Sequence, residues 1–252
     1  MSPAAEPPLP GTRPEGARDE REAATNVREM FSRIAPRYDF LNHLLSASLD
    51  RVWRRRTASR FQHILTCPEK RVLDLCCGTG DLGFALGTAG MAPVIGSDFA
   101  HPMLVRARQK SLRRRGEIRF VEADALRMPF PDGSFDLVTA AFGFRNLANY
   151  EAGLREIHRL LKPGGELGIL EFSAPQGSFF GWCYRLYFTK VLPRIGGAIS
   201  GSQASYSYLP RSVLKFPAPE GLRIQMEQAG FTAASFELWT GGIVALHRAR
   251  KP

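Results

Sequence analysis

From residue 71 onward the chain alternates short apolar runs with amphipathic stretches. "RVLDLC" (71–76), "PVIGSD" (93–98), "IRFVEAD" (118–124), "FDLVTAAF" (135–142) and "ELGILEFS" (166–173) are compact apolar segments of strand length. Between them Asp81–Ala89, His101–Arg115 and Tyr150–Leu161 carry helical spacing, and "LKPGGE" (161–166) ends the last helix with a lysine, a proline and a glycine turn. The alternation predicts an α/β fold: a doubly wound, mostly parallel sheet with helices on both faces. "PAPEGLRIQMEQAGF" (217–231) predicts a helix stopped at Gly230, and "SFELWTGGIVALHRA" (235–249) predicts a C-terminal antiparallel hairpin around Gly241-Gly242.

The ends of the chain have a different texture. Residues 1–24 are rich in Pro, Ala, Gly, Glu and Arg, and predict a disordered tail. Residues 25–66 predict an N-terminal helical cap, with Asn26 capping its first helix and Pro36 interrupting it. In "SLDRVWRRRTASRF" (48–61), Leu49, Val52, Trp53 and Phe61 are expected on the buried side and the arginines largely on the other. Residues 176–216 form an aromatic-rich insertion, with Arg185, Lys190 and Arg194 as its charges. Residues 25–252 are expected to form a single domain.

Composition narrows the field. The formal net charge of +10 favours an anionic partner: nucleic acid, a lipid surface or an acidic substrate. No run is apolar enough to span a membrane, and the N-terminus lacks the order of a secretory signal. Cys67, Cys76, Cys77 and Cys183 form no CxxC and no Cys/His ligand spacing. That predicts free thiols in a reducing cytoplasm and no metal.

The chemistry concentrates in "VLDLCCGTGDLG" (72–83), where the first strand meets the first helix. Gly78, Gly80 and Gly83 fit the glycine pattern that lets a backbone approach a nucleotide ligand. Asp98 ends the second strand, where a carboxylate takes ribose hydroxyls. Both NAD and S-adenosylmethionine carry an adenosine ribose. Asp74 and Asp81 flank the turn and would repel a pyrophosphate, whereas an ammonium and a sulfonium are favoured there. Asp124, beside Ala125, is placed to accept from an adenine amino group or to cap a helix. The vicinal Cys76-Cys77 pair reads as small apolar packing.

"VLDLCCGTGDL…GSDFAHPML…VEADALRMPFPDGSFDLVTAAFGFRNL…LKPGGEL" resembles the class I S-adenosylmethionine-dependent methyltransferases. "MFSRIAPRYDFLNHLLS…RVWRRRT", "FGFRNL", "EFSAP" and "YSYLPRSVLKFP" are similar to the ubiquinone/menaquinone biosynthesis C-methyltransferase family, a likeness covering about residues 26–250. The resemblance implies methylation of a ring carbon of a polyprenylated quinol, demethylmenaquinol or the related ubiquinone precursor. It implies cofactor contacts at Thr79, Asp98, Asp124 and Ala125. Ala141 stands where the family often has serine, which removes one hydroxyl contact. Met103 is placed to pack on adenine, on the core, or on both.

In-line methyl transfer requires alignment, a proton acceptor and a cation for the charge growing on the ring oxygen. Arg145 and Asn146 follow the fourth strand, at the edge where ligands of such sheets sit. Arg145 is therefore expected to stabilise the oxyanion, with Asn146 and Tyr38 orienting the ring hydroxyls. His43 is a candidate base. The alternative for Arg145 is an ion pair with Glu171 or Asp39; for Tyr38 and His43 it is packing within the cap.

The insertion and the basic helices suggest an anionic membrane surface, hence a cytoplasmic protein held peripherally at the inner face of the membrane. A homo-oligomer or a quinone-synthesis complex is compatible with this. A nucleic-acid partner is disfavoured, because "AAFGFRN" lacks the Pro-Pro-aromatic turn of base-amino methylation and aromatics do not alternate with the basic runs. A small-molecule methyltransferase of another specificity and a non-catalytic S-adenosylmethionine-binding member of a quinone-synthesis complex are the remaining alternatives.

Overall fold

The computed structural model describes residues 11, 12, 14, 17–46, 48–114, 118–173, 175, 208 and 211–252. Seven strands form one sheet in the order β3-β2-β1-β4-β5-β7-β6. They are β1 (Val72–Leu75), β2 (Val94–Asp98), β3 (Arg119–Glu122), β4 (Phe135–Ala141), β5 (Leu161–Phe172), β6 (Thr232–Trp239) and β7 (Val244–Arg250). The first five pair in parallel, and β7 runs antiparallel between β5 and β6. Because β1 pairs with β2 on one side and β4 on the other, the chain reverses its winding there. A crevice opens at the carboxyl ends of strands at such a point.

The strand patterns match their burial. Phe135 to Ala140 are all buried, as expected of a strand covered on both faces. One face packs Leu73, Leu75, Val138 and Leu167 against Leu154 and Ile157; the other packs Val72, Val94 and Leu137 against Phe61, Leu65 and Leu86.

The covering helices are α5 (Asp81–Ala89), α6 (His101–Leu112), α7 (Tyr150–Leu160) and, near the C-terminus, α8 (Pro219–Gln228). In α7 the Asn149 side chain accepts from the Ala152 N–H at 2.9 Å and starts the helix. It ends at Leu160, directly before "LKPGGE", as expected, with Gly164 at φ 76°; the same stretch also opens β5, which begins at Leu161 and shifts register against β4 between Leu161 and Glu166.

The N-terminal cap comprises α1 (Glu20–Ile34), a 3-10 turn (Ala35–Arg37), α2 (Tyr38–Leu45), α3 (Leu49–Arg60) and the short α4 (Gln62–Leu65). Three expectations are corrected here. The first helix starts at Glu20, inside the expected tail, because Asp19 rather than Asn26 caps it, accepting from the Glu22 N–H at 2.8 Å. Upstream, the Thr12 N–H donates to the Leu147 carbonyl at 2.8 Å, so this part of the expected tail is packed as well. In α3 the buried face is Asp50, Trp53, Arg54, Thr57 and Ala58, while Leu49 and Val52 are 38% and 55% exposed. Trp53 and Phe61 are buried and Arg51, Arg55, Arg56 and Arg60 exposed as expected; the departure at Leu49, Val52 and Arg54 has a physical cause, since Asp50 and Arg54 pair one turn apart and are buried together. Of the aromatic-rich insertion, only Tyr208 and residues 211–216 fall within the described residues.

Candidate active site

The glycine turn carries Cys76, Gly78 and Gly80 at positive φ, so the backbone folds back at the end of β1. Gly83 is closely approached for a different reason. A Cβ there would lie 3.2 Å from the Asp74 carboxylate, whose Oδ2 accepts from the Gly83 N–H at 2.7 Å. Asp74 is fully buried, and its Oδ1 has no hydrogen-bond partner among the described residues. Burial pushes its pKa up to about 7.

Asp98 accepts from the Gly78 N–H at 2.8 Å and the Ala100 N–H at 2.9 Å, which aims it across the turn. Burial raises its pKa to about 6. Each oxygen retains acceptor capacity beyond these bonds.

A cleft of about 710 Å³ opens beside the turn, lined by Gly78, Asp98, Met103, Asp124, Ala125, Tyr38 and Asn146 among others. A second pocket of about 310 Å³ holds Arg54, Asp74, Thr79, Asp81 and Ala141, and shares Tyr38, Cys76 and Gly78 with the first. Met103 both lines the large cleft and packs with Ala35 and Ala100. Asp124 accepts from the Leu126 N–H at 2.9 Å while lining the cleft. Burial also raises the Tyr38 hydroxyl pKa. Cys76 and Cys77 are free thiols, both pushed well above the ordinary range by burial, which suits packing and not thiolate chemistry.

Several expected site residues are used differently from the way the sequence suggests. Gly80 shapes the turn without lining either pocket. Asp81 pairs with Lys110 at 2.7 Å, so the unpaired acidity beside the turn belongs to Asp74 and Asp98 rather than to Asp74 and Asp81. The Thr79 hydroxyl donates to Asp39 at 2.5 Å and accepts from Lys110 at 2.9 Å, tying the turn to α2.

Arg145 lines neither pocket. It sits in a 3-10 turn, Phe144–Asn146, that directs Asn146 into the cleft and Arg145 toward Glu171 at 2.8 Å. Its Nη1 also donates to the Phe142 carbonyl at 2.5 Å and its Nε to the Ser212 hydroxyl at 3.3 Å. Phe142, held at φ 60°, forms part of the cleft wall. Through Nη1 and Nε the Arg145 guanidinium therefore braces this wall, and it makes the ion pair with Glu171 that the sequence offers as the alternative reading. Asn146 accepts from the Tyr208 hydroxyl at 3.0 Å.

The sequence reading missed Arg54 and the contribution of α1, whose Ala24 and Phe31 close one side of the large cleft. The Asp50/Arg54 spacing of four was the available signal for the former. His43, Asp50 and Asp81 each bring a ligand atom within 4.8 Å of the others, but Arg54 and Lys110 already pair with the two carboxylates and compete with any cation.

Two pockets that share wall residues, with buried acids at the turn, suit an adenosyl ligand bearing positive charge. Residues 17–251 match the ubiE/COQ5 methyltransferase family. The chain belongs to that family. A demethylmenaquinone methyltransferase of Thermus thermophilus is 54% identical over 88% of this chain and 100% of its own length. A ubiquinone/menaquinone biosynthesis C-methyltransferase of Stutzerimonas stutzeri is 41% identical over 92% of this chain and 91% of its own. Among solved structures, a SAM-dependent methyltransferase of Thermotoga maritima superposes with TM-score 0.63 at 19% identity, covering 90% of this chain and 100% of that one. The [4+2]-cyclase SpnF gives TM-score 0.66 at 16% identity, covering 98% and 99%. These two establish the fold; membership of the methyltransferase family rests on the sequence match.

Proposed function

We propose that this family member transfers the methyl group of S-adenosylmethionine to a ring carbon of a polyprenylated quinol. Demethylmenaquinol is the favoured acceptor. The observation that carries this is the full-length likeness, at 54% identity, to a demethylmenaquinone methyltransferase. Asp98 would take the ribose diol, Asp124 with Ala125 and Met103 the adenine, and the turn around Gly78 and Thr79, facing Ala141, the remainder. Tyr38 and Asn146 would orient the ring hydroxyl from the large cleft. In the step itself the ring carbon attacks the methyl carbon as the carbon–sulfur bond breaks. The ring then loses its proton, giving methylated quinol, S-adenosylhomocysteine and one proton. Parallel assays with demethylmenaquinol and with the benzoquinol precursor of ubiquinone test the reading. Methyl transfer to the former is expected, and transfer to neither would overturn it.

A quinol with a prenyl tail resides in lipid, and no helix among the described residues is long and apolar enough to cross a membrane. Peripheral docking through the cap fits this. Phe40, Leu49 and Val52 are 60%, 38% and 55% exposed, and Arg51 and Arg55 stand exposed beside them. Binding to vesicles should rise with anionic lipid and fall with salt, and Phe40→Ser with Val52→Ser should weaken it. Salt-insensitive absence from vesicles alongside full activity would remove this docking surface.

A further inference from the structure

The N-terminal segment reaches the cleft wall through one polar chain. The Thr12 N–H donates to the Leu147 carbonyl at 2.8 Å, and a Cβ on Gly11 would run into the Ala148 carbonyl. The backbone of residues 11 and 12 therefore lies directly on the loop that follows Asn146. Glu20, at the start of α1, accepts from the Asn149 side chain of the same loop at 3.1 Å. Thr12 is 3% exposed, and its hydroxyl stands 2.9 Å from that of Tyr208. The Tyr208 hydroxyl donates its single proton to Asn146 Oδ1 at 3.0 Å, so Thr12 is the donor between the two hydroxyls. At the other end of the amide, Nδ2 donates to the Phe142 carbonyl at 3.5 Å. Turning the amide over would set two oxygens against each other there, so the chain runs one way, from Thr12 through Tyr208 to Asn146. Burial raises the Tyr208 pKa, which keeps this hydroxyl a donor. The second N–H of Nδ2 finds no acceptor among the described residues, on a side chain that lines the large cleft.

We propose that Thr12 and Tyr208 are positioning residues for methyl transfer, holding the Asn146 amide with its N–H end available to the ring oxygen of the acceptor. The relay rests on the quinol reading given above, and it extends the site to a residue that precedes α1. An N–H donor stabilises the ring oxygen as negative charge grows on it, whereas a carbonyl oxygen in its place would oppose that charge. Hydrogen bonds in such a chain polarise one another, so the Thr12 hydroxyl acts on the ring through two intermediaries. Thr12 and Tyr208 are not among the described residues that line the cleft, and their action on the ring is therefore indirect.

A double-mutant cycle tests this, read by single-turnover transfer of a labelled methyl group to demethylmenaquinol, which registers even slow variants. Tyr208→Phe should lower the rate about 3- to 10-fold, the loss of one neutral hydrogen bond, and leave S-adenosylmethionine affinity nearly unchanged. Thr12→Val should lower it about 2- to 3-fold, and Thr12→Ser should restore it. Gly11→Val unseats the segment and should cost at least as much as Thr12→Val. In an Asn146→Ala background, Tyr208→Phe and Thr12→Val should cost nothing further, because the amide they orient is gone. Equal losses in both backgrounds would reduce the two residues to structural support and overturn the relay. A full rate in Tyr208→Phe, or a loss that merely tracks the folded fraction in melting measurements, would overturn it as well. Wild-type protein that methylates no quinol would overturn the quinol reading and the relay with it.

Discussion

Two arginines, one in each wall of the site, are buried to a similar degree and each pairs with a carboxylate. Arg145 with Glu171 belongs to the sheet; Arg54 with Asp50 belongs to the cap. The difference lies in the donors left over. Arg145 directs two of its three guanidinium nitrogens, Nη1 and Nε, to Glu171, the Phe142 carbonyl and Ser212, all within the protein. Arg54 has only Asp50 as a hydrogen-bond partner among the described residues, and it borders a pocket. Charge and burial alone do not separate the two arginines; the number of hydrogen bonds each makes within the protein does.

The largest expected effect tests the bracing side. Arg145→Ala strands Glu171 in the interior and should cost about 3–5 kcal/mol of stability. Melting temperature should drop sharply, while S-adenosylmethionine affinity of the folded fraction changes little. Replacing both partners with apolar residues should recover much of the loss. A variant that melts normally yet transfers methyl slowly would return Arg145 to a direct role in the reaction.

On the cap side Arg54→Met should destabilise less, by about 1.5–3 kcal/mol, because His43 and Ser46 still donate to Asp50. Its melting temperature without ligand should lie above that of Arg145→Ala. The reverse order would break the comparison.

A subtler effect concerns the acid opposite Arg54. Asp74, at about 7, holds a proton in the folded protein that the unfolded chain has already lost between about pH 4 and 7. Its contribution therefore destabilises progressively as pH rises through that window. His247, lowered to about 4 by burial, acts in the opposite sense up to about pH 6.5. The difference between wild type and Asp74→Asn isolates the carboxyl. The variant's melting temperature should gain on wild type from pH 5 to 7 in the absence of ligand. A pH-independent difference would show that Asp74 does not titrate there.

What the sequence makes legible follows from the same contrast. The apolar runs of β1, β2 and β4 can be read directly because both faces of a parallel sheet are covered, and α5 lies at the expected Asp81–Ala89. In α3 the apolar pattern misleads, since counting Leu49 and Val52 as core presumes that charge stays outside. The buried Asp50–Arg54 pair removes that premise. Arg145 and Asn146 are adjacent, and the residue pattern alone does not reveal which of them faces the cleft; the 3-10 turn after β4 decides it. The "DERE" at 19–22 carries a readable cap, Asp19 three residues before Glu22, that places the helix start in a segment whose composition suggests disorder.

A ribosome delivers the cap early and β7 late, yet among the described residues β6 joins the sheet only through β7. The outer anchors of α3 lie on β6 and the turn after it: Trp53 donates to Thr240 at 2.8 Å, Arg60 pairs with Glu237 at 2.6 Å, and Arg56 stands over the Trp239 ring at 4.6 Å. During translation Ala58 of α3 can meet Leu82 and Leu86 of α5 early, but these outer anchors become available only after more than 180 further residues have emerged, roughly ten seconds or longer at cellular elongation rates. Nascent chains arrested before Ile243 should leave Arg51–Arg60 open to trypsin, and chains extended past Arg250 by a tether should protect it. Equal protection in both would mean that the cap docks during synthesis without its C-terminal anchors.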